Sequence, residues 1–318
     1  MSRHRVFLTG ATGVIGRRVV PLLVAAGHRV TAVGRAPDKR AALEQAGAAA
    51  IELDLFDSAA VRRAVAGHDV VINLATHIPP SARAFVPGAW RETNRMRRLV
   101  SHNLAMAVLA GEAGAGAGRF IQESFAPIYG DAGHRWIDED APVRIARYNR
   151  AVLDAEAAAA RVTREGGTGV VLRFSYFYGA DSDFTRDAIR YVRRGRAPVL
   201  GSSTAFISSV SHDDAAAAVT AAFAVPAGSY NVSDDRPVRR REFADALAEA
   251  LGVPPPEFFP RWLALLAGSL GETLARSQRI ANGKLKAASG WAPRYPSVVE
   301  GWSAVMAALS TTKREQSK

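Results

Sequence analysis

Cysteine is absent from the 318 residues, which excludes disulfides, a thiolate nucleophile and a cysteine-ligated metal. Lysine is scarce. The only five are Lys39, Lys284, Lys286, Lys313 and Lys318, leaving 36 arginines among 41 basic residues. Long apolar runs are also lacking, and no stretch approaches the roughly 18–20 uninterrupted residues of a membrane span. Met1 to Leu8 carries no apolar targeting core. The expectation is a cytoplasmic protein without a membrane partner. No internal repeat is visible. At 48% hydrophobic and 22% charged residues, the composition is globular, not disordered.

The net charge of +11 raises the question of nucleic acid. Two short clusters stand out, Arg193-Arg194-Gly195-Arg196 and Arg239-Arg240-Arg241. Neither has the interleaved aromatics of a single-strand platform, and neither fits a DNA-binding motif. The excess reads as a solvated arginine-rich surface in an Ala- and Gly-rich chain. No nucleic-acid partner is expected. Attraction to an anionic cofactor or substrate is a further use of the charge.

The first half alternates short apolar runs with helical patterns. Strands are expected at 5–8, 28–33, 49–53, 69–74, from 119 and at 170–174. Helices are expected at 16–26, 38–45, 58–66, 91–113 and 148–164. Such strand–helix units predict an α/β fold, a doubly wound parallel (Rossmann) sheet covered on both faces. After Gly179 the rhythm becomes mostly helical. The division expected is a dinucleotide-binding domain over 1–180, with 210–232 returning to it. A smaller helical substrate lobe would comprise 181–209 and 233–310, with a flexible polar tail at 311–318.

One motif carries chemistry. Thr9-Gly10-Ala11-Thr12-Gly13-Val14-Ile15-Gly16 follows the first strand and opens the first helix, the context a dinucleotide turn requires. Gly10 permits the tight turn, Gly13 lets backbone approach a pyrophosphate, and Gly16 lets helix and strand pack closely. At the end of the second strand, an acidic residue would bind a ribose 2′-hydroxyl. Here stand Gly34-Arg35, followed by Lys39 and Arg40. An arginine pairs with a 2′-phosphate, so NADP is favoured over NAD.

Together with later segments, the Thr-Gly-x-x-Gly-x-x-Gly spacing resembles the extended and atypical short-chain dehydrogenase/reductases, the NAD-dependent epimerase/dehydratase family. The resemblance runs through nearly 300 residues in order. Asp54-Leu55 is similar to the position that contacts the adenine. Asn73-Leu74-Ala75-Thr76 resembles the fourth-strand end beside the cofactor ribose. Ser124 with Pro127-Ile128-Tyr129-Gly130, Arg173-Phe174 with Tyr178-Gly179, Val210-Ser211-His212-Asp213-Asp214, Tyr230-Asn231-Val232 and Gly290-Trp291-Ala292-Pro293 complete it.

The resemblance implies a catalytic Tyr-x-x-x-Lys, with Glu eight residues after the tyrosine. Tyr148 and Glu156 keep that spacing, but Val152 occupies the lysine position. A lysine there would hold the nicotinamide ribose and lower the tyrosine pKa from about 10; valine does neither. The catalytic serine position falls on Phe125, with Ser124 adjacent. Tyr148 and Ser124 are the expected catalytic pair, and His77, Phe125 and Tyr176 the expected substrate contacts. Glu123 reads as a salt-bridge partner or an acid/base. His212-Asp213-Asp214 reads as a helix opening, and no metal site is expected.

These features lead to an NADP(H)-dependent oxidoreductase acting on a small organic carbonyl, alcohol or sugar-like substrate. Two alternatives use the same scaffold: a non-redox cyclase, dehydratase or isomerase, and a non-catalytic NADP(H) sensor. The family resemblance also implies a homodimer.

Overall fold

The computed structural model describes residues 3–111, 118–260 and 262–316. Seven strands form one sheet: β1 (Arg5–Thr9), β2 (Arg29–Val33), β3 (Ala49–Ile51), β4 (Val70–Asn73), β5 (Arg119–Phe125), β6 (Thr168–Phe174) and β7 (Gly228–Val232). Their order is β7-β6-β5-β4-β1-β2-β3, and every pairing is parallel. This is the doubly wound arrangement, whose ligands sit beyond the carboxyl edge where strand order reverses.

Alternation along the strands builds two cores. Val6 and Leu8 point to the face packed by α1 (Gly16–Ala25), where Val19, Val20 and Leu23 meet them. Phe7 points to the opposite face, with Val61 of α3 (Ser58–Val65). Val100 and Leu104 of α4 (Arg91–Leu109) and Val162 of α5 (Val152–Arg164) complete that side. Sheets covered on both faces need apolar side chains on both, which is why β1 and β4 read as continuous hydrophobic runs. Helix α2 (Pro37–Gln45) lies between β2 and β3.

Buried polar side chains lock the carboxyl edge. Thr9 Oγ1 donates to Asn73 Oδ1 (2.7 Å), and Asn73 Nδ2 donates to Gln122 Oε1 (2.9 Å) and to Ser101 Oγ (3.2 Å). The ends of β1, β4 and β5 are thus held in register by hydrogen bonds that leave these buried groups satisfied.

While Leu285 and Trp291 pack into the core of the sheet, a further core gathers Tyr178, Val192, Ile207, Phe243, Leu247 and Trp302. Short strand pairs, Tyr176–Tyr178 with Ser209–Ser211 and Phe206–Ile207 with Val238–Arg239, thread through it. Helices Asp183–Arg193 and Arg240–Leu251 and the last helix, Val298–Gln316, supply its other layers.

The helix opening read at His212-Asp213-Asp214 is found at His212, and Ser211 caps it by accepting from the Asp214 N–H. Three expectations need adjustment. The helix expected over 91–113 ends at Leu109; residues 112 and 113 lie outside the described residues. The last helix continues through Gln316, across most of the segment expected as a polar tail. The helix expected from Tyr148 starts at Val152, after a 3-10 turn over Arg147–Asn149. The last shift has a local cause. Asn94 donates to the Tyr148 carbonyl (2.7 Å) and accepts from the Ala151 N–H (3.2 Å), diverting both from a helical ladder.

Candidate active site

The turn after β1 is shaped by three glycines with different surroundings. A Cβ on Gly10 would lie 2.4 Å from the Leu74 backbone, and φ there is +71°. A Cβ on Gly16 would lie 2.1 Å from the Gly10 carbonyl oxygen. Both are demanded by backbone closing on backbone. Gly13 differs: its Cβ would meet only the Gly10 oxygen, at 3.2 Å. The missing side chain there leaves space on the outside of the turn. Thr12 and Gly13 are exposed, Val14 is half-buried and Ile15 is buried. The first turn of α1 holds no acidic residue to oppose the helix dipole, which favours an anion there, although the Arg17 and Arg18 N–H groups already donate to the Gly13 and Ile15 carbonyls. This cradle fits a pyrophosphate.

Around it lie the other cofactor candidates. Arg35 is exposed after β2, and no ion-pair partner faces its guanidinium among the described residues. The neighbouring Arg40 is engaged: it bridges to Glu52 at 2.8 Å and donates to the Arg35 carbonyl at 3.0 Å. Asp54 is exposed and accepts from the Phe56 N–H at 2.9 Å, while the Leu55 carbonyl accepts from Asn103. Leu74, Ala75 and Thr76 leave the end of β4 half-buried, with the Ala75 N–H donating to Asn73.

Tyr148 sits on the 3-10 turn before α5. Its ring stands edge-on to Trp90, with centroids 4.7 Å apart. Burial pushes its phenol up to about 12, against the opposite pull of Arg97, Thr273 and Arg276. Val152, at the family's lysine position, is fully buried. The cations nearest in effect come from elsewhere. Arg97 is buried on α4, hydrogen-bonded to Asn149 Oδ1 and paired with Glu123 at 2.8 Å. Its Nε has no partner among the described residues. Sequence reasoning missed Arg97, though Thr93, Arg97, Val100 and Leu104 form one buried stripe at helical spacing, and an arginine in such a stripe is a signal.

Ser124 is buried at the end of β5. Its hydroxyl donates to Glu156 Oε1 at 2.6 Å. Glu156 also receives Arg173 Nε at 2.9 Å and Nη2 at 2.7 Å. Arg173 reaches the Tyr129 hydroxyl at 2.7 Å, which donates to Asn231 at 2.8 Å. This buried chain ties α5, β6 and β7 together, and Glu156 belongs to it. The hydroxyl expected to work beside Tyr148 is here hydrogen-bonded to Glu156, on the side of β5 that faces α5.

Phe125 faces the other way, edge-on to Tyr176 at 5.9 Å. Burial raises the Tyr176 phenol, and so does the nearby Tyr148; its oxygen has no partner among the described residues. Tyr148, Phe125 and Tyr176 thus gather into one aromatic region. His77 is exposed, and only its carbonyl is engaged, by Thr93. Glu123 takes the salt-bridge role. His212 is buried against Asp181 at 2.8 Å.

Comparison with known proteins agrees with this architecture. The NAD dependent epimerase/dehydratase family model matches residues 6–233. The chain is 33% identical over 312 residues to the 3-diazoavenalumate denitrifying reductase of a Streptomyces species, covering 93% of this chain and 98% of that protein. It is 28% identical to the 4-hydroxy-2-methyl-3-oxo-4-farnesyl-3,4-dihydroquinoline-1-oxide ketoreductase of Stigmatella aurantiaca, covering 86% and 81%. The crystal structure of human epimerase family protein SDR39U1 with NADPH superposes with a TM-score of 0.78 at 22% identity, over 95% of this chain and 99% of that one.

Proposed function

The chain belongs to the NAD dependent epimerase/dehydratase family, as an oxidoreductase of the extended short-chain type that uses a nicotinamide dinucleotide, and from that premise we propose that it is an NADPH-dependent reductase working without the family's proton relay. The observation that carries this is the contrast between an intact dinucleotide turn and a dismantled Tyr-Lys-Ser set. Val152 is buried where a lysine would act, and Ser124 is committed to Glu156.

Gly10, Thr12, Gly13, Val14, Ile15 and Gly16 would hold the pyrophosphate, Asp54 and Leu55 the adenine end, and Leu74, Ala75 and Thr76 the ribose side. Arg35 would meet the 2′-phosphate. When bound, the reduced cofactor supplies a hydride. Tyr148 is the one acid of the set that survives. With its pKa near 12 it stays protonated at neutral pH. A phenol that holds its proton this tightly suits substrates that ask little of an acid.

A diazo carbon is such a substrate. The denitrifying reductase that aligns along 98% of its length supports that choice. In the diazonium form, the carbon gains a C–H bond as its C–N bond breaks, the electron pair leaves with dinitrogen, and no proton is needed. A carbonyl substrate is the second reading, favoured by the surviving Tyr148 and by the ketoreductase likeness. It would take a proton from the Tyr148 oxygen.

Dinucleotide titrations of Arg35→Ser test the cofactor reading. NADPH affinity should fall about 10–100-fold, as loss of a charge-assisted contact implies, while NADH affinity is unchanged. Equal effects on both would contradict it.

A further inference from the structure

A cavity of about 260 Å³ opens between residues 84–94, Tyr148 and the segment 267–270. Its lining is mixed: Phe85, Val86, Pro87, Trp90, Ala267 and Leu270 give it apolar side chains, and Arg91, Asn94, Tyr148 and Ser269 polar ones. Trp90 spends its indole N–H on the Ala84 carbonyl at 2.9 Å, so its ring offers the cavity only carbon. Asn94 is likewise spent on the chain at Tyr148 and Ala151. The lining includes one cation, Arg91, which is exposed beside Gly88. It has no ion-pair partner among the described residues, in a protein where many arginines are paired. Phe85 and Val86 are each 51% exposed, apolar surface of the kind that marks a ligand or partner contact.

We propose that this cavity receives the flat apolar body of an organic monoanion, an aryl carboxylate, with its carboxylate against Arg91. The inference rests on the reading of the Tyr148 face as the place of reduction. Size and charge both argue for this class over a nucleoside diphosphate sugar. The volume lies below the usual range of roughly 300–1,000 Å³ for small-ligand pockets. A diphosphate needs several donors, whereas a carboxylate is matched by one guanidinium fork. Trp90 and Tyr148, edge-on to each other, put two aromatic rings in the lining, which suits a planar ring.

Calorimetric titration of the NADPH-loaded protein with cinnamate, neutral cinnamamide and UDP-glucose tests the assignment. Cinnamate should bind most tightly. Arg91→Gln should weaken cinnamate at least 10-fold and leave cinnamamide unchanged, and Val86→Asp should weaken both. Tighter binding of UDP-glucose, or an Arg91→Gln effect equal on the acid and the amide, overturns it. The NADPH titration that precedes loading reads the cofactor claim separately. If it fails, the same acid–amide comparison on the unloaded protein still decides the cavity.

Discussion

Ser124 and Glu156 share a hydrogen bond of 2.6 Å inside a buried network that continues through Arg173 to Tyr129 and Asn231. The serine of an apparent catalytic motif thereby becomes a fastener between β5 and α5. Ser124→Ala should cost about 1–3 kcal/mol, since it leaves a buried carboxylate short of a donor. Urea unfolding would read that loss, while turnover should change by no more than a few-fold. A fall of 100-fold or more at unchanged stability would return Ser124 to the chemistry.

The three turn glycines should separate in their effects. Gly10→Ala forces a Cβ to within 2.4 Å of the Leu74 backbone at a positive φ, so thermal stability should drop sharply. Gly13→Ala meets only one oxygen, at 3.2 Å, and should fold. Its cost should appear as weaker NADPH binding, by about 10-fold or more. Folded Gly13→Ala protein with full NADPH affinity would remove the pyrophosphate from this turn.

Alkaline pH should act through buried tyrosines. Burial raises the phenols of Tyr129, Tyr148, Tyr176 and Tyr178, with Tyr148 reaching about 12. A raised folded pKa means that the folded state holds the proton more tightly. For Tyr148 the resulting stability is complete below the unfolded value of about 10 and is lost as pH climbs through about 12. Absorbance at 295 nm should therefore show these phenols ionising together with the loss of circular dichroism, not before it. Tyr148→Phe should lessen the loss of stability between pH 10 and 12. Early, reversible ionisation in the folded protein would show that these tyrosines are solvated.

Much of the fold was legible in the sequence because strands buried on both faces must be apolar, and because Gly10, Gly13 and Gly16 report backbone closures. The lost lysine was legible too, as spacing from Tyr148 to Val152. What escaped depends on contacts between distant residues. Asn94 holds the backbone at Tyr148 and Ala151, so α5 begins late. Arg97 lies 51 positions before Tyr148 yet shapes its electrostatics. Ser124 could not be assigned a face until β5 was placed against α5. The cavity at Arg91 combines three parts of the chain that are far apart in sequence.

The central claim is hydride transfer that dispenses with the Tyr-Lys-Ser relay. Single-turnover reaction of NADPH deuterated at the transferable C4 position with 4-diazobenzoate, using wild type and Tyr148→Phe, tests it most directly. Benzoate should carry one deuterium at the carbon that held nitrogen, with one dinitrogen released per NADPH. The two proteins should react at rates within about 3-fold. Unlabelled benzoate, or a loss of 100-fold or more in Tyr148→Phe, would contradict the account.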